Sequence, residues 1–497
     1  MLLAGGRLAS EGDYPYLDRR GTPWNKDDDQ TVRRRNNAFH QEDLLVQARL
    51  RQSRNLQIET TGHGLWKDAG IPGTENIQTE RVHDRFRRWL QSLSVRAGAP
   101  TNLNGGLIAH VQEDVDRYRN LDGEVGLGRA DFRNRLSARG VKADVGHRLP
   151  WLRSSLRVRG GFLSEEWQPR NLLVETSEQK RERLSRSLST ELHTAPLSER
   201  IELFAQQEWL VTRESLEGSA DEDLDRSLRT QRLGLSLKVL QGIRLRTGWG
   251  EFTRLPSFVE LFGQGGIQKG NPNLKPEEGD GWDLGVTLLW PFDAAGGMRF
   301  RSWLEVVYFE TRTREAIIWL QNSQRTTLAM NLERTRAEGT ETLLRTRFRQ
   351  RGVSPRWRDP ALALDVAFTR MDARDDGPSR TYHGKVLPHQ PRDQLSVETR
   401  LDLGSVQLAY LVDHESALFR DRYNSEQKRR GPRVIHDLEV SSDIFRDRLD
   451  ATFGIRNLTD RQTQDIDGFP VPGRSVFVQL TVSGIVDTGA SRSTIGR

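Results

Sequence analysis

The 497-residue chain contains no cysteine. Disulfide staples, thiol nucleophiles and Cys-based zinc sites are therefore excluded. The absence also agrees with an oxidising envelope compartment, where a free thiol is a liability. Long apolar runs are missing as well. Only 35 % of residues are hydrophobic, the mean hydropathy is −0.68, and the best runs are VTLLW and LEVVYF. A spanning helix needs ~18 apolar residues, so a helical membrane protein is excluded. A transmembrane barrel is not, because only alternate residues of each strand face lipid while its bore and loops stay polar.

Motifs of catalysis are absent too. The ten histidines, at 40, 63, 83, 110, 147, 193, 383, 389, 414 and 436, form neither HExxH nor a clustered ligand spacing. There is no GxSxG elbow and no Walker loop, and Gly126-Leu127-Gly128 lacks the third glycine of a dinucleotide loop. An enzyme is not expected, and no cofactor is implied. The chain carries 75 Lys+Arg against 69 Asp+Glu, a net charge of +6. The two signs are mixed throughout and no basic tail occurs, so nucleic acid is not the expected partner. The arginine excess reads first as compositional background. The functional alternatives are pairing of outer-loop arginines with lipopolysaccharide phosphates, or attraction of an anionic ligand into a bore.

What the chain does have is alternation with a period of two, the mark of strands with one apolar face. It predicts about twenty strands: 2–10, 39–51, 54–62, 84–97, 106–118, 130–147, 151–163, 181–194, 198–212, 227–240, 242–252, 279–290, 298–317, 328–350, 359–372, 391–402, 404–417, 433–443, 448–456 and 474–484. Leu362/Leu364/Val366/Phe368 and Val476/Val478/Leu480/Val482 are among the clearest. Connections alternate in length. Residues 11–38 and 63–83 are long, the turns near Arg51–Ser53 and at Gln241–Gly242 are tight, 253–278 is long, 291–297 is short and 373–390 is long. Short turns on one rim and long loops on the other are the pattern of an outer-membrane barrel with its long loops outside. In such a barrel Trp66, Trp151, Trp249, Trp282, Trp290 and Trp303 are expected near the aromatic girdles, with the ligand mouth as the alternative.

Two blocks of sequence then name a family. The first, Phe252–Gly285, contains Arg254, Pro256, Ser257, Glu260, Leu261, Gly270, Asn271, Pro272, Leu274, Pro276, Glu277 and Gly285. The second, Ile455–Phe477, contains Asn457, Leu458, Thr459, Asp460, Asp465, Gly468, Pro470, Pro472, Gly473 and Arg474. Their wording, order and spacing resemble the barrel of TonB-dependent receptors, the gated transporters of the Gram-negative outer membrane. The resemblance implies an all-β fold: a transmembrane antiparallel barrel with about 20 of the family's 22 strands, long extracellular loops and short periplasmic turns. The motif residues are expected to be mainly structural, with direct ligand contact as the alternative. Arg254, Glu260, Asn271 and Glu277 carry the side chains able to hold a loop against its neighbours.

The resemblance further implies that Leu2–Ser10 is barrel strand three, that the barrel runs over 1–486, and that 487–497 is a tail. A leader, a plug with its TonB-binding box and a first hairpin are expected upstream; nothing in 1–497 resembles a plug. The alternative is a complete barrel in which strands have been merged. The tail DTGASRSTIGR departs from the family, whose members commonly end on an aromatic residue in the last strand. Asp13, Asp18, Asp27, Asp28 and Asp29 on the first long loop are weak calcium candidates, since some cobalamin-carrying members use loop aspartates; a solvated loop is the simpler reading. The implied ligand is a scarce metal chelate or cofactor such as a ferric siderophore, haem or cobalamin. The implied partners are outer-membrane lipids, lipopolysaccharide and, through the plug alone, the TonB complex, with a monomeric barrel. The rival readings are a plugless passive pore, a truncated barrel without function, and a soluble β-rich binding protein.

Overall fold

The computed structural model describes residues 1–482, except 23–24, 54, 99–101, 127, 175–179, 197–199, 217–223, 267, 294–296, 322–325, 351–359, 445–448 and 467. The tail and its expected anomaly lie outside the described residues. Twenty long strands form one sheet: β1 Leu2–Ser10, β2 Phe39–Ser53, β3 Leu56–Gly70, β4 His83–Gly98, β5 Leu103–Asn120, β6 Ala130–Leu149, β7 Ser154–Asn171, β8 Arg181–Thr194, β9 Ile201–Leu216 and β10 Leu224–Leu240. They continue as β11 Ile243–Arg254, β12 Glu277–Asp293, β13 Met298–Gln321, β14 Thr327–Gln350, β15 Ala361–Asp375, β16 Asp393–Asp402, β17 Val406–Glu415, β18 Arg433–Asp443, β19 Leu449–Arg456 and β20 Ser475–Val482.

Each strand pairs antiparallel with the next, and all twenty expected strands have a counterpart. Several reach further than the alternation indicated. Strand β3 continues from the expected 62 to Gly70, and β7 from 163 to Asn171. The added residues lie at the long-loop end, where both faces of the sheet meet water or polar loops, so no apolar period marks them.

The parity of the strands separates two faces. Leu103, Leu107 and Val111 on β5, Val141 and Val145 on β6, Leu233 on β10 and Leu284 on β12 all point one way and are 37–55 % exposed. This is the apolar outer band expected against lipid. The opposite face is polar and knit by cross-strand ion pairs, among them Arg49–Glu59 at 2.7 Å, Arg159–Glu191 at 3.1 Å, Arg244–Glu202 at 2.9 Å and Arg347–Asp365 at 2.8 Å. Five of the six expected girdle tryptophans fit the outer face or its rims: Trp66, Trp249 and Trp282 near the long-loop edge, Trp151 and Trp290 near the short-turn edge. Trp303 does not. Its cross-strand partner is Leu289, one residue out of phase with the outer row Leu288–Leu304. It faces the bore, where the Arg345 guanidinium lies 5.4 Å from its ring centre.

Among the described residues β1 pairs only with β2, and β20 only with β19. Their loops nevertheless meet. The Tyr14 hydroxyl donates to the Pro470 carbonyl at 2.5 Å, and the Glu75 amide donates to the Gly468 carbonyl at 2.6 Å. The sheet therefore curls into a barrel whose first and last strands face each other across an unzipped seam. Val476, Val478, Leu480 and Val482 on β20 are 61–78 % exposed, above the 37–55 % of the outward residues named above, because no neighbouring strand flanks them on one side.

Candidate functional site

The first motif block builds a loop that folds inward at the outer mouth. Pro256 and Ser257 end strand β11's extension, and Ser257 caps a short helix, α1, over Phe258–Phe262. The Ser257 hydroxyl accepts from the Glu260 amide at 3.3 Å, while the Glu260 carboxylate accepts from the Ser257 amide at 2.8 Å. This reciprocal box satisfies two otherwise free donors. Five residues are too few for a helix to stand alone, and an ionic clamp supplies the rest. Arg254 donates twice to Glu260, at 2.9 and 3.1 Å, and once to Glu277 at 2.6 Å. Burial alone would raise the Glu260 pKa. The hydrogen bonds from Arg254 and from the Ser257 amide and hydroxyl outweigh that and hold it below the ordinary glutamate range.

The remaining motif residues close the same loop. The Asn271 amide donates to the Glu260 carbonyl at 2.8 Å, and the Asn271 side chain accepts from the Asn273 amide at 3.1 Å, turning the chain beside Pro272. A Cβ on Gly270 would sit 2.3 Å from the backbone nitrogens of Phe262 and Gly263, so only glycine permits the two legs to approach. Leu261 and Leu274 are buried with Ile317 and Ala329. Pro276 precedes β12 without a described side-chain contact that bears on the clamp. Gly285 lies lower on β12, away from the loop.

The wall that receives α1 was not singled out from sequence. Trp167 on β7 stacks on Phe258 with 6.2 Å between ring centres, the Arg183 guanidinium lies 4.8 Å over Phe258, and that of Arg181 lies 3.9 Å over Phe262. Arg183 also donates to the Pro256 carbonyl at 2.8 Å and pairs with Glu214 at 2.7 Å. At the loop tip the Asn134 side chain donates to the Gln264 carbonyl at 2.6 Å, and Gly265 and Gly266 lie against the rings of Phe132 and Tyr118. The loop thus crosses the mouth from β11 to β5. A sequence signal for this wall existed: Trp167 is out of phase with the outward Leu156, Val158 and Phe162 of its own strand.

The second motif block is elsewhere on the rim. Asn457 adopts φ +52°, accepts from the Arg461 amide at 2.8 Å and donates to the Arg461 carbonyl at 2.9 Å. Asp460 accepts from the Arg474 amide at 2.7 Å, and Gly473 leaves room for that carboxylate. The Leu458 amide donates to the His436 carbonyl at 2.7 Å. Gly468 and Pro470 supply the carbonyls that tie this loop to the first two loops across the seam, while Pro472 lines the bore-side hollow beside Asn457. The two blocks lie in separate loops of the rim. A third clamp lies elsewhere on the rim: buried Asp375 pairs with Arg422 at 2.7 Å, and Arg422 lies 3.8 Å over the Tyr382 ring.

The loop aspartates are held separately. Asp13 pairs with Arg33 at 2.7 Å, Asp18 accepts from the Arg20 amide at 2.8 Å, and Asp28 accepts from the Thr22 hydroxyl at 2.7 Å. The amides of Asp27 and Asp29 close local turns to Asn25 and Lys26. Among the described residues no three metal-ligating side chains converge anywhere.

A wet, ion-paired bore inside an apolar band, with a loop folded into its outer mouth, places the chain in the class of outer-membrane barrel receptors and transporters. Within that class it belongs to the TonB-dependent receptors: the family described as "TonB dependent receptor-like, beta-barrel" matches residues 3–458. The protein is therefore an outer-membrane protein. The solved copper transporter OprC superposes with a TM-score of 0.71 at 13 % identity, covering 96 % of this chain and 75 % of that one. The Serratia marcescens hemophore receptor HasR, solved with its hemophore HasA and haem, gives 0.65 at 16 % identity with the same two coverages. The vitamin B12 transporter BtuB of Vibrio vulnificus is 25 % identical over 169 residues, 34 % of this chain and 26 % of that protein. The chain thus aligns with about a quarter of the length of that curated relative.

Proposed function

We propose that residues 1–486 form the barrel of a receptor that takes up a scarce solute, of the ferric siderophore, haem or cobalamin kind, by TonB-dependent transport. The observation that carries the reading is the inward-folded loop, clamped by Arg254 and seated on Trp167 and Tyr118. A solute too large and rare for a passive pore must be captured before it is moved, and a fixed loop at the mouth offers a surface for capture. Relatives named for copper, haem and vitamin B12 support the class of cargo. The seam supports a further part of the reading. Strands β1 and β20 run antiparallel, so an even number of strands, one hairpin at the least, fits between them. A hairpin and a plug contributed from outside this chain would complete the gate.

A second reading, a passive pore, is favoured by the same seam. Binding and conductance separate the two. The refolded chain is titrated with cyanocobalamin, haemin and a ferric catecholate siderophore while tryptophan fluorescence is followed, and its conductance is read in a planar bilayer. Saturable binding of one ligand at micromolar concentration or below, with channel block by that ligand, is expected. Steady conductance with no binding of any of the three would overturn uptake in favour of the pore.

A further inference from the structure

Beneath the tip of the inward-folded loop lie two carboxyl groups that neither the ionic clamp nor the bore pairs use. Asp84 on β4 and Asp116 on β5 stand at the loop-side ends of their strands, beyond the rows of Trp66 and Trp89. Tryptophans on a barrel's outer face mark the membrane–water boundary, so both acids lie outside the membrane-spanning part of the wall. They are out of phase with the outward Trp89, Leu93 and Val111 and face the mouth. Register sets Asp84 opposite Tyr118, Asp116 opposite Asn134, and Phe132 opposite Tyr118. The two carboxyl groups are within hydrogen-bonding reach of each other, a contact that needs one proton between them. Asp116 is only 9 % exposed and Asn134 only 2 %.

Asn134 connects this pair to the loop. Its side-chain amide donates to the Gln264 carbonyl at 2.6 Å and reaches the Asp116 carboxyl at 3.4 Å, so one group touches both the tip and the acid. Gly265 and Gly266 cover the adjoining rings of Phe132 and Tyr118. The tip residues Gln264, Gly265 and Gly266 bring no charge to the pair. The charged groups around it are engaged or distant. Arg88, further into the bore, donates to Asp114 at 2.8 and 2.7 Å. Lys67 on β3 is diagonal to Asp84 and two strands, ~10 Å, from Asp116, with Phe86 between them. Glu124 accepts from the amides of Glu80 and Arg81, and on the β7–β8 side Arg183 is held by Glu214 near Glu165. Arg85, Arg117 and Arg133 point to the opposite face of the same strands. Burial first, and then the Asp84 charge, push the Asp116 pKa up to about 7, against the Asn134 hydrogen bond, which lowers it.

We propose that Asp84 and Asp116 form a proton-operated latch for the loop tip: one shared proton keeps Gln264–Gly266 seated on Asn134, Tyr118 and Phe132, and its loss releases them. A doubly ionised pair needs water, and the seated tip keeps water away. Once the tip lifts, the hydrated carboxyls return toward the ordinary aspartate value of ~3.9. Seating therefore takes up a proton. Its contribution is complete below that value and is lost progressively as pH rises to about 7. The base of the loop behaves differently, because the depressed pKa of Glu260 keeps the Arg254 clamp ionised over the same range. Gly263, at φ +76°, stands between the fixed helix and the tip and allows one to move without the other. The inference concerns the position of the loop and holds whether or not a solute is carried.

The test follows amide exchange of the full refolded chain in detergent micelles from pH 5 to 8, without ligand and corrected for the intrinsic pH dependence of exchange. Exchange at 264–266 is expected to rise at least tenfold across that range, the effect of one unit of pKa difference between the seated and open pair. Exchange at 258–262 should change less than twofold. D116N keeps the shape but cannot ionise, and it should hold the tip at its pH 5 level throughout. A flat wild-type profile at 264–266, an equal rise at 258–262, or a rise in D116N as large as in the wild type would each overturn the latch. The first two comparisons need only the wild type, so they decide the matter even if D116N does not fold. No solute enters the measurement, so a failure of the uptake reading leaves its result standing.

Discussion

Removing the Arg254 side chain should release the inward-folded loop without unfolding the barrel. In R254A the carboxylates of Glu260 and Glu277, only 12 % and 15 % exposed, lose their common cation. A fully buried pair broken in this way costs about 3–5 kcal/mol, and an exposed one at most about 1 kcal/mol. Arg254 itself is 43 % exposed, so the loss falls between these limits, at about 2–3 kcal/mol. At 1.4 kcal/mol per decade this is a rise of about 30- to 150-fold in the open population of the loop. Amide exchange over 258–274, followed by mass spectrometry, reads that population directly. R254K keeps the charge but not the fork of donors and should fall between R254A and wild type. Unchanged exchange in R254A, or acceleration spread evenly over β1–β20, would refute the clamp.

Because the folded pKa of Glu260 is depressed, its contribution is complete above the unfolded value of ~4.3 and is lost as pH falls through the lower folded value. Protection of α1 should therefore weaken only below that range, and E260Q, which cannot ionise, should show a lower protection with no such step between pH 5 and 3. Strands β1 and β20 have one ladder each, so about half of their amides should exchange at least tenfold faster than those of β9 and β10; equal protection would mean the seam is closed in solution. G270A forces a Cβ to within 2.3 Å of the α1 backbone and should raise loop exchange to at least the R254A level. N457A gives up two loop hydrogen bonds and leaves alanine at φ +52°, a cost of about 1–3 kcal/mol that thermal melting of the refolded barrel should register as a lower midpoint.

How much of this was legible beforehand follows from where water lies. Through the membrane the two faces of each strand differ, and Val406/Leu408/Tyr410/Val412 could be read as β17 from the alternation alone. Above the membrane both faces are polar, and the outer ends of β3 and β7 left no such trace. The motif residues announced a loop, and Ser257 and Glu260 at a spacing of three carry the capping box openly. The receiving wall is different: Trp167, Arg183 and Asn134 meet the loop from strands far away in sequence. Only phase, the mismatch of Trp167 with Phe162 and Leu156, hinted that it looks inward. Trp303 was misplaced for the same reason, since a residue's type suggests a girdle but its phase decides the face.

Phase also resolves what the arginine content means. Counted together, the arginines look like background. Sorted by strand phase they divide into bore-facing residues such as Arg244 and Arg347, each matched by a carboxylate across the wall, and outward ones above the tryptophans. Among the outward ones, Arg312, Arg336 and Arg374 are paired with Glu310, Glu338 and Asp372, while Arg85, Arg117 and Arg135 are paired with Asp68, Asp131 and Glu113.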